Sequence, residues 1–356
     1  MKIFFIVASL KIGQDGVGDY TRHLAEALEK MGCQTAIIAL NDRHTEFRKI
    51  KHDVNKRNIK FGVGVNWNIR LQLTGDILYQ FSPDLISLQY VSFGFHHKGM
   101  PLLLPNRLGK IGKSFSWHIM FHELWNGENR GSKFSHRLLG FFEKQIIFSL
   151  CKKLKPRLCT TSNALYHEWL KREKIDNQIL PLFSNIPPVN DTQNICSTTH
   201  NMVAIFGSLE SEELGDELIS TTLKMVKNRH LIWKVLGLAG SKWENVLLKY
   251  NLPFQRTGHL SESELASEFQ SCRFGLASTN VYRIGKSGSA LAMLANGLPL
   301  LVGRSGWIPC HSNLEIDLPD GCLGCWQNPN WDQLPERHKF KKPPSCQEVA
   351  QYFVYL

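Results

Sequence analysis

The stretch Gly285–Pro299, GKSGSALAMLANGLP, decides how the rest of the chain is read. It opens with two glycines and two serines around Lys286. An alanine-rich apolar run follows, and Asn296-Gly297 with Pro299 supply the signals that stop a helix. The continuation LPLLVG reads as a strand. The unit is therefore loop, helix, strand, with small residues at the helix start. Unpaired backbone N–H groups there, and the positive end of the helix dipole, suit a phosphate. Lys286 adds a full charge at the same place. The same small residues would equally let a helix start pack tightly on a sheet.

A P-loop is excluded. It needs a glycine five residues before the glycine of GKS. Asn280 stands there before Gly285, and Arg107 before the second such triplet, Gly112-Lys113-Ser114.

The chain has 356 residues, enough for two domains of ordinary size, and 43% of them are hydrophobic. No run approaches the ~20 apolar residues of a membrane helix. The opening KIFFIVASL reads as a first strand and not a signal peptide. Nine scattered cysteines fit reduced thiols in a cytosol. Cys322 and Cys325 form one CxxC, and Cys310-His311 is the nearby candidate for the second pair that a zinc site needs.

The net charge is +11, and it is segregated. Residues 1–190 hold 27 Lys/Arg against 15 Asp/Glu, a net +12, whereas residues 191–356 hold 15 against 16, a net −1. The excess gathers in Arg43–Lys60, Lys152–Arg157 and Lys171–Lys174. Solvated helix faces would account for it. So would attraction to anionic lipid headgroups or an acidic substrate. No recognised nucleic-acid module accompanies the charge, so no nucleic-acid partner is expected.

Taken in order, Lys2–Ser9 reads as a buried strand and Gly13–Tyr20 as a loop. Apolar residues at helical spacing over Tyr20–Met31 follow, and Gln34–Leu40 is a second strand. This β-α-β unit implies a parallel sheet with its ligand at the strands' carboxyl ends. Residues 42–75 show only basic charge. Asp84–Gln89 and Ser116–Phe121 are further strands. The loop after the first, Tyr90–His97, is unusually rich in aromatics and histidine. The second ends at His122-Glu123, where a His and a Glu are placed for ligand contact or for a hydrogen-bonded core role. The spacing HxxxHE excludes the HExxH metalloprotease helix. Helices are expected over Phe141–Leu154 and Ser162–Lys171, the latter capped by Ser162. Strands are expected at Arg157–Thr161 and Ile179–Phe183. Residues 186–201, with Pro187-Pro188, read as a linker between a domain over 1–185 and one over 202–340. The second series has strands at Met202–Phe206, ending at Gly207-Ser208, and at Leu231–Leu236 and Phe274–Ala277. Ser261–Glu264 forms a capping box before Leu265–Ser271. Residues 303–345 read as irregular surface, and 345–356 as a terminal helix.

The pieces together resemble the retaining, two-Rossmann-domain (GT-B) glycosyltransferases, glycosyltransferase family 4 or group 1. GVGDYTRHLAEALEKMGCQTAIIAL is similar to that family's opening glycine loop, helix and second strand. MFHELW falls where the family keeps an active-site histidine. TSNALYHEWL is similar to the helix before the crossover, RTGHLSESELASEFQSCRFGLAS to the approach to the sugar-nucleotide site, and LAMLANGLPLLV to the family's EAMACGLPVV-like helix and strand. The departures are specific. The family's Glu-x7-Glu falls here on Ile284 and Ala292, and its Arg and Lys after the first donor-domain strand on Ser208 and Leu214.

The resemblance implies an α/β chain of two Rossmann-like domains facing a cleft, with the terminal helix packed on the first. It implies a transferase that moves a sugar from a nucleotide-diphosphate donor to a glycan or lipid-linked acceptor, retaining and metal-independent, with no cofactor. The diphosphate would bind Gly285, Lys286, Ser287, Gly288 and Ser289, with Gly207 and Ser208 beside them. Gly16, Val17, Gly18 and Asp19 would face the donor phosphate and sugar. His122 would contact the transferred sugar or orient the acceptor, and Glu123 would fix His122 or bind a hydroxyl. A cytoplasmic protein, peripheral on the membrane's cytoplasmic face, is expected. A scaffold of the same fold that has lost donor binding, and a sugar-nucleotide epimerase, are the alternatives.

Overall fold

The computed structural model describes residues 1–53, 57–112, 114–188, 201–226, 230–238, 240–310 and 318–355. Most of the expected linker (189–200), and Lys56, Lys113 and His311, lie outside the described residues. The chain divides into two compact units: Met1–Pro181 with Cys346–Leu356, and Leu182–Ser345.

The first unit runs β1 (Lys2–Val7), α1 (Gly16–Lys30), β2 (Gln34–Asp42), β3 (Ile50–Asp53), β4 (Asn58–Gly62), α2 (Trp67–Phe81), β5 (Leu85–Tyr90), α3 (Ser92–Phe95), α4 (Leu104–Ile111), β6 (Trp117–Phe121), α5 (Phe134–Leu154), β7 (Leu158–Thr161), α6 (Ala164–Arg172) and β8 (Gln178–Ile179). Its strands form one sheet in the order β3-β4-β2-β1-β5-β6-β7-β8. All neighbours are parallel except β3 with β4. β5 and β6 are buried at every residue, which is why they are mostly apolar, with Ser87, Gln89 and His118 as buried polar exceptions.

The second unit runs β9 (Met202–Phe206), α7 (Glu212–Val226), β10 (Ile232–Leu236), α8 (Ser241–Lys249), β11 (Phe254–Arg256), α9 (Glu262–Ser271), β12 (Phe274–Ala277), α10 (Gly288–Ala295), β13 (Leu300–Val302) and β14 (Cys322–Gly324). Its sheet is parallel throughout, in the order β11-β10-β9-β12-β13-β14. The last helix, α11 (Cys346–Tyr355), belongs to the first unit, where it packs on α1 and sets Phe353 against Phe5.

Several expectations are corrected. α1 starts at Gly16 and not at Tyr20, because Asp15 caps it by accepting a hydrogen bond from the Gly18 N–H at 2.8 Å. α6 is capped by Asn163 and not by Ser162. α5 begins seven residues before Phe141. The expected strand Ile179–Phe183 reduces to the two residues of β8. Residues 42–75 hold β3, β4 and the start of α2. Residues 303–345 include β14, and they place Cys325 and Leu334 in the hydrophobic core. The capping box of Ser261 and Glu264 is present at α9. α10 ends as its sequence dictates: Gly297 turns at φ +71°, and the N–H groups of Gly297 and Leu298 bond the carbonyls of Leu294 and Met293.

Candidate functional site

In each sheet the strand order reverses beside the first strand: β1 lies between β2 and β5, and β9 between β10 and β12. Such a reversal opens a crevice at the strands' carboxyl ends, where ligands of open α/β sheets bind. The two crevices are described separately.

In the second unit three stretches distant in sequence meet there. Gly207 leaves β9 at φ +89°, and a Cβ on it would lie 2.6 Å from Ser289 Oγ and 2.9 Å from Ser278 Oγ. Only glycine fits that conformation and that gap. Ser278, at the end of β12, is 2.9 Å from Ser289 through their hydroxyls, and Ser289 is 3.1 Å from Ser287. Thr279 donates to Ser287 Oγ at 3.1 Å. Ser287 caps α10, accepting from the Ala290 N–H. The result is a cradle of four hydroxyls against the N-terminus of α10, with Gly288 exposed and open space around it. The sequence pointed to Gly207 and Ser287–Ser289. It missed Ser278 and Thr279, whose signal is a pair of hydroxyls at a strand's carboxyl end.

Three cations lie on and around the turn before α10. Lys286 ends the 3-10 turn Val281–Lys286, half-buried and engaged by the protein itself. Arg283, on the same turn, pairs with Glu210 and lies 4.8 Å over the Trp307 ring. Glu210 accepts from the Asn280 N–H at 3.1 Å and donates its own N–H to the Ser278 carbonyl at 2.9 Å. Lys242 of α8 donates to the Glu210 carbonyl at 2.9 Å. The loop after β9 is thus laced to the loop after β12 by charge-assisted bonds. Ser208 is exposed at the strand end. Leu214, Ile284 and Ala292 are buried in the apolar cores. The positions where the resembled family carries a lysine and two glutamates therefore face the interior here, where a lone charge would be costly.

In the first unit, Gly16 is exposed at the first turn of α1, with Val17 half-buried and Gly18 and Asp19 buried. A Cβ on Gly18 would meet the Ser9 carbonyl at 2.6 Å, so the helix start can approach β1 only through glycine. Asp19 is occupied: one carboxylate oxygen accepts from the Gly13 N–H at 2.9 Å and the other pairs with Arg22 at 3.1 Å. Burial pushes the Asp15 carboxyl up, with the Gly18 and Val17 N–H groups opposing.

His122, at the end of β6, is buried, with Nε2 2.8 Å from Gln89 Oε1 and its ring edge-on to Tyr20. Gln89 donates to Ser87 Oγ at 2.7 Å. Ser87 Oγ lies 2.9 Å from His118 Nδ1, and His118 Nε2 lies 2.8 Å from Thr160 Oγ1. Thr160 donates to the Met120 sulfur at 3.0 Å. One direction satisfies every member: His122 Nε2–H to Gln89, Gln89 to Ser87, Ser87 to His118 Nδ1, His118 Nε2–H to Thr160. That chain fixes the His122 tautomer and runs across β5, β6 and β7. Burial lowers the His118 imidazole to about 3, so it stays neutral. Glu123 is half-buried and engaged by neighbours. The loop that carries both is clasped by Glu143 of α5, which takes the Asn126 N–H at 2.8 Å, the Asn126 amide and the Ser92 hydroxyl. Burial raises the Glu143 carboxyl. Nothing in the sequence singled out Glu143, a buried acid within α5.

Cys322 is half-buried, Cys325 is buried, and burial pushes both thiols up to about 12. Among the described residues no three His, Cys, Asp or Glu side chains gather as metal ligands, and no helix is long and apolar enough to cross a membrane.

Two parallel-sheet units, each with small-residue turns at its switch point, give the α/β architecture of the GT-B glycosyltransferases. Solved structures bear this out at the level of fold. The chain is similar to the lipopolysaccharide outer core galactosyltransferase WaaB in its apo form: TM-score 0.52, 13% identity, over 86% of this chain and 82% of that one. A glycosyltransferase from Rickettsia africae ESF-5 aligns with TM-score 0.54 and 12% identity over 99% of this chain and 87% of that one. An alpha-glucosyltransferase in complex with UDP and a 13-mer DNA containing a HMU base aligns with TM-score 0.53 and 12% identity, over 85% and 79%. No protein-family model matches the chain, and no curated protein matches it.

Proposed function

We propose that the protein is a glycosyltransferase that moves a sugar from a nucleotide-diphosphate donor to a glycan or lipid-linked acceptor. The observation that carries the reading is the cradle of Ser278, Thr279, Ser287 and Ser289 at the switch point of the second sheet, closed by Gly207. Hydroxyls and the free N–H groups of α10 are the equipment that holds a diphosphate and stabilises it as it leaves. Lys286 supplies charge to the same group. Gly16, Val17, Gly18 and Asp19 form the corresponding turn of the first unit, facing the donor phosphate and sugar. His122, its tautomer set by Gln89, contacts the transferred sugar or orients the acceptor, with Glu123 beside it. Transfer is retaining and metal-independent: the leaving group is held by dipoles and cations, and the acceptor hydroxyl is positioned beside it.

The reaction takes place in the cytoplasm at an anionic membrane surface. The excess of cations in residues 1–190 supports this placement, as does the start of α5. There Phe134, Leu138, Phe141 and Phe142 are solvent-exposed beside Lys133 and Arg137, an apolar and basic face suited to anionic lipid. The eight described cysteines are unpaired, which fits a reducing compartment.

Saturation-transfer NMR and calorimetry with a panel of nucleotide sugars test the reading, followed by product analysis with and without chelator. A scaffold that has lost donor binding is the second reading, favoured by the apolar burial of Leu214, Ile284 and Ala292. It is the result if no nucleotide sugar binds. Conversion of the donor without any acceptor would indicate an epimerase. Transfer to DNA, the molecule bound in one structural neighbour, would overturn the acceptor class.

A further inference from the structure

The first unit holds a cavity of about 680 Å³ at the carboxyl ends of β2 and β5. That volume falls in the range of small-molecule sites. Its wall is divided by chemistry. Val63, Phe95, Met100, Pro101 and Leu102–Leu104 are apolar, and Leu102 and Leu103 are each 57% exposed. Arg43, His96, His97 and Arg107 are cationic or titratable to cations, and among the described residues no Asp or Glu lines the wall.

The arginines near the cavity do different jobs. Arg70 is buried and fully used: Nε bonds the Val65 carbonyl at 2.9 Å, Nη2 bonds Gly62 and Val63, and Nη1 bonds Leu40 and Asn41. It holds the floor and one face of the Trp67 ring, 4.6 Å from the centroid. Arg107 lies 4.1 Å from the same centroid, and its guanidinium makes no hydrogen bond or ion pair among the described residues. Among the described residues, Arg43 bonds only the Phe93 carbonyl. No described carboxylate pairs with Arg43, Arg107, His96 or His97. His96 Nδ1 accepts from the Lys98 and Met100 N–H groups at 3.3 and 3.4 Å, which leaves Nε2–H as its donor. The charged or titratable groups around His96 are His97, Lys98 and Arg43. Burial first, and then those three, lower its pKa. Burial also lowers Arg107, and Arg70 falls to about 10 through burial and the nearby Arg107 charge. A pocket that gathers cations, supplies no counter-charge and backs them with exposed leucines is built for a ligand that brings both the anion and the apolar surface.

We propose that this cavity binds an anionic amphiphile, a phosphate or diphosphate head on a hydrocarbon body, with Arg107, Arg43 and the His96–His97 pair on the head and Leu102, Leu103 and Met100 on the body. The assignment rests on the glycosyl-transfer reading only in naming the occupant as the acceptor. The binding itself is measured without donor, so its failure is separate from failure of donor binding.

The probes are farnesyl diphosphate, inorganic pyrophosphate and farnesol, titrated by calorimetry into wild type, Arg107→Gln and Leu103→Ser. Histidine NMR follows His96 and His97. Expected is binding of farnesyl diphosphate tighter than either fragment, with a rise of the His96 pKa as the anion enters. Arg107→Gln should lose about tenfold or more toward both anionic probes, as for a hydrogen bond to a charged group. Leu103→Ser should weaken farnesyl diphosphate and leave pyrophosphate unchanged. Unchanged circular dichroism confirms that the variants fold. Three results overturn the proposal: farnesol as tight as farnesyl diphosphate, pyrophosphate as tight as farnesyl diphosphate, or equal affinity in wild type and Arg107→Gln.

Discussion

His118 makes the first unit acid-sensitive by an amount that can be calculated. Its imidazole is buried between Ser87 and Thr160, and burial takes it from an ordinary 6.5 to about 3. The folded chain therefore refuses a proton that the unfolded chain accepts. Above pH 6.5 both states are neutral there and the group contributes nothing. As pH falls from 6.5 toward 3 only the unfolded state gains protons, so stability is lost throughout that window. Between pH 7.5 and pH 5 the loss is about 2 kcal/mol, from about 1.4 kcal/mol for each pH unit below the unfolded value. The figure depends little on the folded value, since pH 5 lies well above it.

The perturbation is His118→Gln, which keeps a donor and an acceptor and removes the titration. The wild-type profile alone is not diagnostic, because the Asp15 and Glu143 carboxyls, raised by burial, favour the folded state as pH falls. The difference between the proteins isolates His118. Calorimetric scans at pH 7.5 and pH 5.0 should show the stability difference between wild type and variant shift by about 2 kcal/mol in the variant's favour on acidification. For a unit of this size that is about 4–8 °C in Tm. Parallel pH profiles would refute the reasoning and show that His118 is charged, or hydrated, in the folded chain.

Four further outcomes are expected. Lys286→Ala should weaken nucleotide-diphosphate binding by ~1.5–3 kcal/mol in calorimetry, the range for a hydrogen bond to a charged group; unchanged affinity removes Lys286 from the site. His122→Ala should lower turnover without an earlier melt, whereas a much lower Tm would make it a core histidine. Gly207→Ala should cost at least ~1–2 kcal/mol for the left-handed backbone and abolish donor binding by displacing Ser289; a variant that binds donor normally would deny the cradle its role. The first unit should co-sediment with anionic and not neutral vesicles at low salt, and Phe134→Ser with Phe141→Ser should release it; equal binding to both vesicle types counts against the membrane placement.

How far the sequence could be read follows from where its polar residues point. β1, β5, β6, β9 and β12 are almost wholly buried, and their mostly apolar residues announce them. α2 did not announce itself, because its inward face carries Arg70 and Thr74, both buried and both hydrogen-bonded inside the unit. A charge that turns inward to bond carbonyls erases the 3.6-residue signal. The helix stop at Gly297 was legible because glycine acts locally. β14 was not, since three residues held only by pairing with β13 carry no period of their own.

The sites divide in the same way. GKSGS is contiguous, so the start of α10 could be singled out from its own residues. Its partners Ser278, Thr279 and Gly207 reach it only through the order of β9 and β12 in the sheet, which one sequence does not disclose. His122 could be placed at a strand end, but the line from Gln89 through Ser87 to His118 depends on the register of β5 on β6. The departures from Glu-x7-Glu look in sequence like plain losses. In the structure Ile284 and Ala292 are core residues, and Lys286 and the Arg283–Glu210 pair carry the charges beside the turn. A site that had simply decayed would have no reason to keep four hydroxyls in mutual contact around a turn that only glycine can make. Gly207 adopts φ +89° without strain, so the cost falls on any residue put in its place, and whether the hydroxyls serve an anion on α10 is what the Gly207→Ala and Lys286→Ala titrations decide.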